Sequence, residues 1–132
     1  MTRREDRRIA IDVLYQADIT DASGAAVVAE WRSAGRDVPA FTVELMEGVW
    51  GRLPDIDLLL ETHAEGWSVQ RMAALDRTIL RVGVYELLWS DDIPSSVAIS
   101  EAVEAAAELS ADDAKRFVNG VLGRIARDEG VG

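Results

Sequence analysis

Apolar residues recur every three to four positions along nearly the whole chain, and no stretch shows the sustained two-residue alternation of a strand. This periodicity predicts an all-α protein. In the first half of the chain we predict one helix from about Arg3 to Ile19 and another from about Ala25 to Ala34. Pro39 and Pro54 suit a first helical turn, so they open the third and the fourth helix.

The second half of the chain predicts three more helices, after a break at Gly66-Trp67-Ser68 and a short helical turn that ends by Ala74. They are expected at about Asp76 to Trp89, Ser96 to Leu109 and Ala111 to Arg127. Ser110, with Asp113 three residues later, is expected to cap the last helix as in a capping box. Because no linker or repeat divides the chain, residues 1–132 are predicted to form a single compact helical domain.

The composition excludes several functional classes. The chain contains no cysteine, which rules out disulfides and thiolate metal sites and fits a reducing compartment. Its one histidine, His63, has no second histidine or cysteine with which to form a zinc site or a nucleophile–base pair. No apolar stretch is long enough to span a bilayer. We therefore expect a cytoplasmic protein that is not an enzyme and binds no metal or cofactor.

The charge is strongly negative and unevenly distributed. The formal net charge is −10, which argues against general phosphate binding, because sequence-independent affinity for nucleic acids comes mostly from cationic side chains. Residues 3–8, which we call the arginine segment, consist of Arg3, Arg4, Glu5, Asp6, Arg7 and Arg8. Four arginines against two acids give this segment a charge of +2, so the remaining residues carry −12. This distribution predicts one small anion-facing patch and a separate surface for a basic partner.

On a helix, the four arginines of the segment fall on one arc of roughly 140°, with the two acids outside it. Guanidinium groups suit phosphate because their forked donors can bind it with two hydrogen bonds. The sequence therefore predicts a basic face suited to binding phosphate. The alternative is a frayed, solvated terminus with no binding role.

Other candidate residues each have a plain structural explanation as well as a functional one. Phe117 lies at the edge of an apolar stripe, where it could stack on an unpaired base or simply pack in the core. Asp76 opens a predicted helix, so capping alone would explain it. Packing would explain Tyr15, and His63 is expected to be a hydrogen-bonded residue at the edge of an apolar stripe.

A run of short motifs in the second half of the chain resembles one known family. The motifs are Leu75-Asp76-Arg77-x-Ile79-Leu80-Arg81, Tyr85-Glu86-Leu87, Ile93-Pro94, Glu101-Ala102-Val103-Glu104 and Phe117-Val118-Asn119-Gly120-Val121-Leu122. They occur in the order and at the spacing of the NusB transcription antitermination family. The resemblance extends from the arginine segment to about Ala126.

This resemblance implies an all-helical fold of about seven helices in two small bundles, without enzymatic activity. It also implies that the chain pairs with NusE, a small-subunit ribosomal protein, and acts with the transcription elongation complex. The pair would bind the boxA element of ribosomal RNA transcripts. Residue by residue, the resemblance places RNA contacts at Arg3, Arg4, Arg7, Arg81, Asp113 and Phe117, with Arg8 as a neighbour. It places NusE contacts at Tyr15 and Asp76.

Two other functions remain open. NusB-like domains also occur as RNA-binding modules at the front of ribosomal-RNA cytosine methyltransferases, but the glycine-rich cofactor loop of those enzymes is not found in this sequence. The chain could also be a protein-interaction adaptor that kept the fold and lost RNA binding. In that case the acidic surface would be the functional one, and an RNA-binding test with and without the ribosomal partner would separate the two functions.

Overall fold

The computed structural model describes residues 2–131, and every regular element in this range is helical. The prediction of an all-α protein of about seven helices is therefore confirmed. A short 3₁₀ turn, Val69–Arg71, lies between α4 and α5. The seven α-helices are α1 Arg3–Thr20, α2 Gly24–Ser33, α3 Ala40–Gly51, α4 Leu53–His63, α5 Ala74–Trp89, α6 Ser95–Leu109 and α7 Ala114–Asp128.

The helices pack as two groups that share α5. Helices α1, α2 and α3 contact one another, and α4, α6 and α7 gather around α5 in the second group. Helix α5 also packs on α1 and α3, so it is enclosed on most sides. The buried apolar residues of both groups form one hydrophobic core. Because α5 is central, even Glu86, one of the charged residues of this helix, is buried.

Close helix packing around α5 depends on Gly83. A Cβ atom at this position would lie 2.8 Å from Cδ1 of Leu122 and 3.3 Å from Cβ of Ala102. Helices α6 and α7 can therefore approach α5 closely at this level. The approach fixes α6, which carries several acidic residues, beside α1.

The prediction that Ser110 caps the last helix was wrong. Helix α7 begins at Ala114, three residues later than expected, and its N-cap residue is Asp113, whose side chain makes no capping hydrogen bond. Ser110 instead ends α6, and its hydroxyl donates to the carboxylate of Asp76 on α5. Because α7 begins at Ala114, Ser110 lies three residues before the N-cap position and is not part of the first turn of this helix.

Candidate functional site

The arginine segment lies in the first two turns of α1, whose start is fixed by a capping box. Thr2 Oγ1 accepts a hydrogen bond from the Glu5 amide at 3.1 Å, and the Glu5 carboxylate accepts one from the Thr2 amide at 3.1 Å. The hydrogen bonds that the Glu5 carboxylate accepts from the Thr2 amide and from the Thr2 hydroxyl hold the pKa of Glu5 below its ordinary value. The Thr42 hydroxyl of α3 donates to the Asp6 carbonyl at 2.7 Å. The segment is therefore a capped helix tied to α3, and the Thr-x-x-Glu pattern at residues 2–5 was a sequence signal for it.

Arg7 is the buried arginine of the segment. Its Nε donates to both carboxylate oxygens of Glu86, at 2.8 and 3.0 Å, and its Nη1 lies 3.3 Å from Glu101. The side chains of Arg7 and Glu86 are only 8% and 2% exposed. Burial raises the pKa of Glu86 above its ordinary value, and the ion pair with Arg7 opposes that rise.

The expectation of one exposed face with four arginines is therefore wrong for Arg7. Its guanidinium turns toward α5 because Glu86, on a central helix, supplies a buried opposite charge there. A buried charge requires such a partner, since an unpaired one is expensive to take out of water.

Arg3 and Arg4 are the exposed arginines, with side chains 53% and 56% accessible to solvent. Arg3 Nη2 lies 3.1 Å from Asp92, and its guanidinium sits 4.6 Å from the ring centre of Phe41. Arg4 uses its Nε to bind Glu101 at 3.1 Å. Within residues 2–131 the two terminal nitrogens of Arg4 form no hydrogen bond, so they remain available to a ligand.

The side chain of Arg8 is intermediate in its exposure to solvent, more exposed than that of Arg7 and less than those of Arg3 and Arg4. Its Nη2 is buried 3.2 Å from the carboxylate of Glu108, in a geometry that forms no hydrogen bond. Each arginine of the segment thus has at least one carboxylate within 3.3 Å. The basic patch predicted from the sequence is largely neutralised by the protein itself.

A second cluster surrounds Phe117 on α7. Phe117 is half-buried, and its ring meets the ring of Trp67 edge to face, with centres 6.4 Å apart. Both line an open pocket of about 440 Å³, together with Arg71, Asp76 and Asp113. The structure therefore brings together two residues predicted to bind RNA, Phe117 and Asp113, and one predicted to bind the partner, Asp76. Trp67 and Arg71 reach the pocket from the turn between α4 and α5, and neither was predicted from the sequence as a site residue.

Asp76 lies in the first turn of α5, which starts two residues earlier than predicted. It makes no capping hydrogen bond to the described part of this helix, and its carboxylate accepts the Ser110 hydroxyl instead. Capping by hydrogen bond therefore does not explain this acid. Its side chain links α5 to the turn between α6 and α7 and contributes negative charge to the pocket.

Arg81 and Tyr15 lie apart from the arginine segment. Arg81 binds Asp57 through two hydrogen bonds of 2.9 Å and lies 3.6 Å from Asp18. Since Asp18 stands 14 residues after Arg4 on α1, about 21 Å along the helix, Arg81 is remote from the N-terminal arginines. Tyr15 is half-buried on α1. The predicted RNA residues therefore do not form one continuous surface in this structure.

The remaining titratable groups of residues 2–131 show no sign of metal chemistry. No cluster of three or more potential metal-binding side chains is found there. His63 is buried, with Nδ1 2.8 Å from the Leu59 carbonyl and Nε2 2.7 Å from the Asp128 carboxylate. None of the helices in the same range combines the length and the apolar character of a membrane span.

Replacing Arg7 with Met should destabilise the protein in a pH-dependent way. The change leaves Glu86 buried without its partner, which should cost about 3–5 kcal/mol at pH 7. Glu86 would then have a further raised pKa when folded, so folding would favour its protonated form. Stability is consequently lost as pH rises through that pKa and is recovered toward pH 4. Urea unfolding of both proteins between pH 4 and pH 8 measures the difference.

Arg4→Met serves as the control, because Arg4 is half-exposed and its removal leaves Glu101 paired with Arg7, so the loss should be at most about 1 kcal/mol. A stability loss in Arg7→Met that stays constant from pH 4 to pH 8, or that matches the loss in Arg4→Met, would contradict the buried pair.

Comparison with known proteins gives a consistent result. The model of the NusB family matches residues 4–127. The transcription antitermination protein NusB of Saccharopolyspora erythraea is 52% identical over 128 residues, covering 94% of this chain and 86% of the relative. That of Beutenbergia cavernae is 48% identical over 136 residues, covering 95% and 89%.

Solved structures show the same likeness. NusB of T. maritima superposes with a TM-score of 0.87 at 33% identity, covering 97% of this chain and 92% of that one. A structure of the antitermination factors NusB and NusE in complex with dsRNA contains a chain that matches with a TM-score of 0.82 at 25% identity, covering 97% and 99%. On this evidence, the chain belongs to the NusB family.

Proposed function

We propose that this chain is a transcription antitermination factor that pairs with the ribosomal protein NusE and binds boxA-type RNA within the transcription elongation complex. It acts in the cytoplasm and by binding, without catalysis or a cofactor. The relatives named above are transcription antitermination proteins, and a structural neighbour is described in complex with NusE and dsRNA. The observation that carries the RNA role is the arginine segment, held on a capped helix with two guanidinium groups exposed.

Arg3 and Arg4 are the phosphate ligands in this proposal. A helix that is already ordered loses little conformational entropy when RNA binds, so each contact contributes more to affinity. Arg7 acts indirectly, because its pair with Glu86 fixes the segment against α5. Arg8 becomes a ligand only if its carboxylate partner moves away.

The pocket around Phe117 is the proposed site for an unpaired base. Single-stranded RNA is commonly held by stacking of bases on aromatic rings. Phe117 is half-buried and Trp67 is half-exposed, so each offers part of a ring surface to solvent. Asp113 at the rim of this pocket repels phosphate, which favours approach of the RNA by a base. Arg81 stays a predicted RNA ligand at a more distant point of the strand.

The proposed NusE surface includes Tyr15 and Asp76. A negatively charged surface suits a positively charged partner, because complementary charge speeds association and fixes orientation. The chain outside the arginine segment carries that negative charge. Asp76 lies in the Phe117 pocket, so RNA and partner would meet there.

One observation favours the second candidate, an adaptor without RNA binding. Every arginine of the segment already has a carboxylate nearby. The two functions differ in whether the complex with NusE binds RNA in an arginine-dependent manner.

Replacing Arg3 and Arg4 with Ala should weaken RNA binding by the complex and reduce its salt dependence. Each phosphate contact on a single strand contributes about −0.7 to the slope of log affinity against log salt, so the double variant should be flatter by about 1.4. BoxA-like and scrambled RNA should weaken by similar factors, because phosphate contacts do not read bases. Fluorescence anisotropy across a salt series measures both effects.

The matched control is Arg36→Ala with Arg127→Ala, which removes the same charge from sites outside the segment. Equal effects of the two double variants, or an unchanged slope in Arg3→Ala/Arg4→Ala, would favour the adaptor.

Replacing Phe117 with Ala should separate RNA binding from stability. A fully buried Phe would cost about 3–5 kcal/mol of stability, and this half-buried ring should cost less. Loss of a stacking ring should weaken RNA binding by about 1–3 kcal/mol. Phe117→Leu, which keeps apolar bulk without an aromatic face, should lose affinity and keep most of the stability. A large fall in melting temperature with unchanged affinity per folded molecule would contradict the stacking role.

Asp76→Lys should weaken NusE binding at least tenfold, about 1.4 kcal/mol, because it reverses charge on a complementary surface. Ser110→Ala is the control, since it removes the hydrogen bond to Asp76 and keeps the charge. Titration calorimetry with NusE should therefore find near-normal affinity for Ser110→Ala. Equal weakening in the two variants would assign the effect to the lost hydrogen bond.

A further inference from the structure

Three carboxylates face the arginine segment from α6 and the turn before it. We call Asp92, Glu101 and Glu108 the carboxylate row. Asp92 precedes α6, Glu101 lies in its middle and Glu108 in its last turn. They lie 3.1 Å from Arg3, 3.1 Å from Arg4 and 3.2 Å from Arg8, respectively. The row therefore offers oxygen atoms to the same donors that a phosphate backbone would use.

The members of the row differ in burial. Glu101 is mostly buried and also contacts Arg7, at 3.3 Å, so it belongs to the packed core of the segment. Asp92 and Glu108 have side chains that are 65% and 57% exposed. Exposed ion pairs contribute only about 0–1 kcal/mol to stability. These two carboxylates are therefore weakly held and can be displaced by another anion without loss of the fold.

The contact at Arg8 shows what displacement would release. Nη2 of Arg8 is buried and forms no hydrogen bond within residues 2–131, although the Glu108 carboxylate lies 3.2 Å away. A buried donor without an acceptor is costly. A phosphate oxygen that replaced Glu108 in better geometry would satisfy this donor.

We propose that Asp92 and Glu108 are internal competitors of RNA phosphate that lower the RNA affinity of this protein by occupying Arg3 and Arg8. The proposal rests on the RNA-binding role of the arginine segment. The competition weakens every RNA by the same factor, because it acts at phosphate contacts and not at bases. RNA that makes only phosphate contacts then binds too weakly to stay bound. RNA that is also held by the Phe117 pocket and by NusE stays bound.

The test is the double variant Asp92→Asn/Glu108→Gln in complex with NusE. Loss of two weak competing pairs should tighten boxA-like and scrambled RNA alike, by about two- to thirtyfold. The salt dependence should also become steeper. In the unchanged protein, carboxylates that RNA displaces take up cations from solution and offset part of the cation release from RNA, and the variant lacks these two carboxylates. Circular dichroism melting should change little.

The control Asp91→Asn/Glu104→Gln also removes two negative charges. Asp91 is one residue from Asp92, and Glu104 is one helical turn from Glu108. Both residues are exposed, and neither forms an ion pair within residues 2–131. The control should change RNA affinity less than the test variant and leave the salt slope unaltered. Equal tightening by the two double variants would show a general effect of net charge and overturn the proposal.

Arg3→Ala/Arg4→Ala distinguishes failure of this inference from failure of the proposed function. If that variant weakens RNA binding while Asp92→Asn/Glu108→Gln matches its control, only the competition is refuted. If no complex binds RNA, including Asp92→Asn/Glu108→Gln, both are refuted.

Discussion

The buried ion pair between Arg7 and Glu86 is the interaction on which the candidate site depends. It joins the start of α1 to the middle of α5, the helix that both groups of helices share. Two charges removed from water are stable only when each satisfies the other closely. The two hydrogen bonds of 2.8 and 3.0 Å meet that condition. The position of α1 relative to α5 is thereby specified at this point.

This constraint divides the arginine segment into two functions. The arginine that faces α5 is used for structure, and those that face away, Arg3 and Arg4, are presented to solvent on a helix that is already capped. Carboxylates from α6 and from the turn before it then neutralise much of the exposed charge. In the proposed function, RNA binding at this surface therefore depends on the partner protein and on base contacts, because phosphate attraction alone is reduced.

Apolar periodicity was enough to predict the seven helices, because most of them bury one face. The burial of Arg7 also had a signal in the sequence. Arg7 stands three and seven residues before Ala10 and Leu14, on the apolar stripe of α1, and Glu86 follows Ile79 and Val82 on the stripe of α5. Two opposite charges, each on a buried stripe, indicate a buried pair.

Other features of the site could not be predicted locally. Trp67 and Phe117 are in contact although 50 positions separate them in the sequence. The hydrogen bond from Ser110 to Asp76 joins the end of α6 to the first turn of α5. Such contacts depend on how helices pack, and no single helix pattern contains that information. The capping expectation at Ser110 failed because the start of α7 is three residues later than the local motif predicted.

A double-mutant cycle on Arg7 and Glu86 tests the central claim most directly. Urea unfolding at pH 7 would compare Arg7→Met, Glu86→Met and the double variant with the unchanged protein. Arg7→Met strands the buried charge of Glu86 and should cost about 3–5 kcal/mol. Glu86→Met should cost less, because Glu101 still faces Arg7 at 3.3 Å. The double variant should be more stable than Arg7→Met, because apolar groups of similar size replace a buried pair at little cost. Strictly additive losses, with no coupling between the two positions, would contradict the account.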